Sequence, residues 1–118
     1  MRPPKHIRVG YRNWRIKCAE LRDRYGECDK EAGLILYSPG QSPDVRLNTI
    51  IHEILHACFE SGHVVDSDDE EKTVTILANQ LSDVLSSNPD LLQWINVMVN
   101  GPYFDGSPRE GPVQSRKL

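Results

Sequence analysis

The sequence predicts an α+β fold in which a small, mainly antiparallel sheet comes first and three helices follow. Three observations predict it. Apolar residues alternate with period two on either side of residues 10–13, and residues 6–38 read as strands. Apolar residues recur at helical spacing after residue 42. Three sets of helix start and stop signals then punctuate the second half. The chain has 118 residues, the length of one domain. We expect that domain over residues 1–100 and an irregular tail over residues 101–118.

Ile7 and Val9, then Trp14 and Ile16, alternate on either side of residues 10–13 and read as a hairpin. Residues 19–24 form a connection with room for one helical turn. Residues 26–29 and 33–38 flank the polar pair Lys30-Glu31 as a second hairpin, with Gly33-Leu34-Ile35-Leu36-Tyr37 the most strand-like run. Ser42-Pro43-Asp44 supplies an N-cap, a proline at the first helical position and an acid in the first turn, so a helix should run to about Glu60 and stop at Gly62. Ser67 and Glu70 have capping-box spacing and open a second helix, ending near Ser86. Asn88-Pro89-Asp90 opens a third, which Gly101-Pro102 closes. Tyr103 and Phe104 are the tail's candidates for docking on the body. Trp14 and Trp94 are expected in the core or at an interface.

Composition narrows the function classes. Lys plus Arg is 14 and Asp plus Glu is 17, a net charge of -3. That balance lacks the basic footprint of a chain whose main task is gripping nucleic acid. Arg2, Lys5, Arg8, Arg12, Arg15 and Lys17 concentrate charge near the start, which reads as a solvated face. Mean hydropathy is -0.51, and no apolar run approaches the roughly 18 residues of a membrane helix. Met1 to His6 carry no apolar stretch of a secretory signal. Three cysteines without CxxC spacing make neither a disulfide framework nor a zinc ribbon. The expected setting is therefore the cytoplasm, with no membrane partner.

The chemistry is concentrated in His52-Glu53-Ile54-Leu55-His56. On a helix, histidines four apart share one face, so both imidazoles can reach one metal ion. Glu53 points to the same side, one step further out, and suits a base that deprotonates metal-bound water. Leu47, Ile50, Ile51, Ile54, Leu55 and Cys58 form an apolar stripe that leaves the histidines off its centre and should bury Cys58.

A catalytic metal needs a third protein ligand and an open position. His63, Asp66, Glu70 and Glu71 are the candidates. A Gly three residues after His56 and a His three beyond would mark a metzincin, but Phe59 and Gly62 stand there. The second helix has an apolar face of Val74, Leu77, Ala78, Leu81, Val84 and Leu85 that should pack on the metal helix. Glu71 lies at the edge of that face, which favours it, while Glu70 has the capping-box role.

These residues resemble the small gluzincin-type zincin metallopeptidases, closest to the ImmA/IrrE-like and SprT-like groups and to short metallopeptidase-like proteins of bacteriophages. The resemblance rests on Thr49 to Ala57 and on Glu70 to Leu81, with Val74, Ala78 and Leu81 in frame from Glu71. It implies a zincin-like domain with one Zn2+ per chain, His52, His56 and Glu71 as ligands, and Glu53 as general base. The activity implied is that of a hydrolase, a zinc metalloprotease acting on a peptide or protein, in a host cytoplasm if phage-encoded. Larger gluzincins place an acid four residues after the ligand Glu, and here Thr75 stands there. Two other readings follow: a non-catalytic zinc domain that binds a partner protein, and a SprT-like peptidase acting on DNA-bound proteins. Tyr37, Tyr103 and His63 are the candidate oxyanion donors, and residues 34–37 could offer a strand edge to an extended substrate.

Overall fold

The computed structural model describes residues 1–63 and 68–101. Strands β1 (His6–Val9) and β2 (Arg12–Cys18) form the first hairpin, with Ile7 opposite Trp14 and Val9 opposite Arg12. A two-residue turn needs a left-handed backbone, and Gly10 supplies it at φ 64. A side chain at Gly10 would also collide with Ser61. Strands β3 (Gly26–Asp29) and β4 (Leu34–Tyr37) form the second hairpin, and β4 pairs with β2 in parallel. The sheet order is β1-β2-β4-β3, so the fold is the α+β class expected from the sequence.

Two local expectations change. The connection over residues 19–24 contains bends and no helical turn. It carries the chain past β4's place in the sheet, so β4 is an inner strand paired on both sides. The strand edges therefore belong to β1 and β3, and residues 34–37 offer none.

Helix α1 (Pro43–Ser61) begins where Ser42 accepts a hydrogen bond from the Val45 amide, and the Gly62 amide closes it on the Cys58 carbonyl. Helix α2 covers Asp68–Ser87 and α3 covers Pro89–Asn100. The chain divides into two compact units, Met1–Val84 and Leu85–Leu118. In the first, Trp14, Ile16, Ile35 and Ala57 form the core, with Ile7, Val9, Ile50 and Ile54 packed around them. Burying Ile35 and Ile16 contributes about 1.5–3 kcal/mol each. Within the second unit, α3 begins with Pro89 at a first-turn position and leaves Trp94 59% exposed, against a core position.

The stripe that α1 buries is rotated from the expected one. Thr49, Glu53 and Ala57 are its buried residues, while Leu47 and Cys58 are exposed. The reason is close approach. A β-carbon on Gly26 of β3 would lie 2.7 Å from the Thr49 methyl and 2.9 Å from Glu53 Oε2, so small and polar residues of α1 meet the sheet there. On α2, Val74 and Ala78 are buried as expected, but Leu77, Leu81 and Val84 each stay 39% exposed. Between the two helices, the Asn48 side-chain amide donates to Asn79 at 3.0 Å. The tail from Pro102, with Tyr103 and Phe104, lies outside the described residues, as do Asp66 and Ser67.

Candidate metal centre

Helical spacing places His52 and His56 one turn apart on α1, with ring centroids 5.0 Å apart in an edge-to-face arrangement. The start of α2 brings Glu71 to them. Its carboxylate lies 3.3 Å from His52 Nε2 and 2.8 Å from His56 Nε2. One donor atom from each of the three lies within 4.8 Å of the others, so the group could hold a metal ion. Two imidazole nitrogens and a carboxylate are a donor set that suits a tetrahedral divalent ion, whose donors stand about 3.3 Å apart. Of the four sequence candidates, Glu71 joins the histidines. Glu70 does so differently, and His63 is an exposed residue at φ 60 beyond α1.

Glu70 is a buried carboxylate. His56 Nδ1 donates to its Oε2 at 2.6 Å, and Lys30 Nζ donates to the same oxygen at 3.1 Å. A histidine whose Nδ1–H is committed to a carboxylate presents Nε2 as the metal donor in a fixed ring orientation. Lys30 is itself held. The Arg12 guanidinium donates to the Lys30 and Glu31 carbonyls at 2.5 and 2.8 Å and stacks 4.7 Å from the centre of the Trp14 ring. A line of contacts thus runs from the core tryptophan to the metal-facing imidazole. Sequence reading weighed Glu70 as a third ligand or a cap and gave no role to Lys30. Their pairing depends on the β3–β4 turn meeting α2, which no local pattern encodes.

Glu53 sits beneath the histidines, buried against β3. Burial pushes its carboxyl up to about 7. The neighbouring His56 pulls the other way, and Glu71 adds to the rise. Burial likewise pushes the Cys28 thiol up to about 12, helped by Glu53, so Cys28 stays protonated at neutral pH. The start of β3 is tied to α1 through Gln41. Its side-chain amide donates to the Tyr25 carbonyl at 2.9 Å, while Thr49 Oγ1 donates to Gln41 Oε1 at 2.8 Å.

These groups open on a cleft of about 770 Å³, bordered by β3, its flanking residues and α1. Arg24 and Tyr25 line it, whereas Tyr37 and His63 are not among its lining residues. The structure thus brings Tyr25 to the cleft, a residue that sequence reasoning passed over, and leaves the candidate oxyanion donors Tyr37 and His63 away from it. Tyr103 lies outside the described residues. Among the described residues, no helix is long and apolar enough to cross a membrane. Comparison with protein-family models and with curated proteins gives no match to this chain.

Proposed function

We propose that this chain is a zinc-dependent peptidase whose metal ligands are His52, His56 and Glu71 and whose general base is Glu53. The observation that carries the reading is the meeting of both histidines of the H-E-x-x-H helix with Glu71 from a separate helix, beside a buried carboxyl and in an open cleft. Zinc in that donor set would supply Lewis-acid polarisation of a carbonyl and acidification of water. The protein's own groups do the rest. Glu53, pushed up to about 7, is matched to accepting a proton near neutral pH and passing it to the leaving nitrogen. Glu70 and Lys30 hold the His56 ring in place. An extended peptide would add to the unpaired edge of β3, with Arg24 and Tyr25 beside it in the cleft.

The test is elemental analysis of wild type and Glu71→Gln, purified without added metal, followed by cleavage of a peptide library. About one zinc per chain, weakened in Glu71→Gln, with cleavage that Glu53→Gln abolishes, is the expected result. Zinc without cleavage of any peptide would leave a non-catalytic metal domain. No zinc even after supplementation would refute the reading.

A further inference from the structure

A second cavity, of about 640 Å³, lies where the C-terminal ends of β2 and β4 meet the chain's first residues and the first turns of α1. None of its lining residues lines the metal cleft. Arg2, Lys5, Arg15, Lys17 and Arg46 all line it, and its lining includes no Asp or Glu. This is unexpected in a chain of net charge -3. The sequence alone reads the N-terminal cations as a solvated face. The fold gathers four of them and adds Arg46 from α1.

Among the described residues no carboxylate pairs with these charges. Among the described residues, the cations seen in ion pairs are Arg12, Arg24 and Lys30, each with a glutamate, and none of the five pocket cations is in one. Arg46 is half-buried. Its Nη2 donates to the Gln41 carbonyl at 3.1 Å, but its buried Nε finds no acceptor among the described residues. A buried guanidinium N–H without an acceptor is costly, and five like charges lining one cavity repel one another. Both costs are relieved by an anion with several oxygens. Register spreads the cations as well. Arg15 and Lys17 share the sheet face opposite Trp14 and Ile16, with His6 directly across from Arg15, while the Cys18–Tyr37 pairing puts Tyr37 on the Ile16 face, so the cavity takes in both faces at the end of the sheet. The cavity's remaining wall is less polar, with Ile16, the half-buried Tyr37 and Pro39. A ligand fitted to this site carries phosphate on one part and a flat, weakly polar ring on another.

We propose that this pocket binds a nucleotide through its phosphates, with the base against Tyr37, the nucleotide being either free or one unit of a nucleic-acid strand. Charge-assisted contacts from arginine suit phosphate oxygens, and an aromatic ring suits any base face. The site is independent of the metal centre, so its test needs no zinc.

The test uses the full chain and three probes: inorganic pyrophosphate, a nucleoside diphosphate, and a labelled single strand of about 12 nucleotides. Amide shifts in a ¹⁵N spectrum locate binding, and anisotropy measures it across a salt series. The expected result is shifts centred on Lys17, Cys18 and Tyr37, and a weakening of about tenfold in Arg46→Gln. Lys17→Gln, an exposed position that does not threaten the fold, should weaken binding too. It should also reduce the slope of log affinity on log salt for the strand by about 0.7. Binding of the nucleoside diphosphate identifies the free nucleotide as a sufficient ligand, and binding of the strand alone identifies the nucleic acid. Equal affinity for pyrophosphate and nucleotide would overturn the role given to Tyr37. No binding by any probe, or binding unchanged in an Arg15→Gln/Lys17→Gln double variant, would overturn the site.

Discussion

In the metal cleft, Arg24 stands 2.8 Å from Glu27 and Lys30 stands 3.1 Å from Glu70. In the basic pocket, Arg15, Lys17 and Arg46 have no such neighbour among the described residues. Both sites belong to the Met1–Val84 unit. In the cleft, each cation serves the chain's own geometry: Arg24 pairs beside β3, and Lys30 fixes the carboxylate that fixes His56. The charge that remains there is negative, from Glu53 and Glu71, and is suited to a cation. In the pocket, no acid of the described residues pairs with the cations, which leaves them open to an external anion. One unit thus carries a group that could hold a cation and a pocket that we propose for an anion. The difference can be read from which charges are already satisfied.

The largest expected effect separates chemistry from metal binding within the cleft. Glu53→Gln should lower peptide cleavage by roughly 10²–10⁴-fold, the usual range for a positioned acid–base group. Zinc content should stay at the wild-type level, because Glu53 is not in the ligand group. Steady-state rates together with elemental analysis check this. Loss of zinc along with rate would make Glu53 a structural part of the metal site.

The same residue gives a pH signature in the metal-free protein. Its carboxyl is raised from 4.5 to about 7 in the folded state. Between those values the folded chain holds a proton that the unfolded chain has released, so stability falls as pH rises. Below 4.5 the burden is absent, and above about 7 it is complete. Relative to Glu53→Gln, the wild type should lose about 3 kcal/mol across that window, from about 2.5 pKa units at 1.36 kcal/mol each. Urea denaturation of both proteins at several pH values reads the difference directly. A difference that does not vary with pH would mean that Glu53 is solvated after all.

Much of the cleft was legible because its signals are local. Period-two alternation marked the first hairpin, the polar Lys30-Glu31 between two strand-like runs marked the second, Ser42 and Pro43 marked the start of α1, helical spacing joined His52 and His56, and the apolar face of the second helix favoured Glu71. Each of those arguments needs only residues a few positions apart, or the face of one helix. What was not legible depends on pairings distant in sequence. The parallel match of β2 with β4 made β4 an inner strand and removed the edge that residues 34–37 could have offered. It also helped gather Arg2, Lys5, Arg15, Lys17 and Arg46 around one cavity. The stripe buried by α1 shifted from Leu47 and Cys58 toward Thr49 and Glu53 because glycine at position 26 lets β3 come close. Apolar periodicity cannot foresee a helix that buries a carboxyl next to a glycine.

Glu70 offers a way to sharpen the cleft's side of the contrast. If it orients His56 through Nδ1, Glu70→Gln should weaken zinc by about 10–100-fold, the range for partners behind a ligand. Competition with a chromophoric chelator measures that affinity without reference to activity. Lys30→Met should weaken zinc less, since it removes a partner of Glu70 and not of the histidine. An unchanged affinity in Glu70→Gln would leave Glu70 as a packing residue only.

The smallest expected effect is the most direct test of the contrast, because it predicts opposite signs. Arg24→Gln removes an exposed ion-pair partner and should cost about 0.2–1 kcal/mol of stability. Lys17→Gln removes one of five clustered cations and should be neutral or stabilising by a few tenths of a kcal/mol at low salt. Added salt should shrink both changes toward zero, because both come from exposed charge. Thermal melts of the two variants at two ionic strengths are sufficient. If Lys17→Gln destabilised the chain as Arg24→Gln does, the pocket's cations would be held by carboxylates of the chain itself, and the case for an external anion would fall.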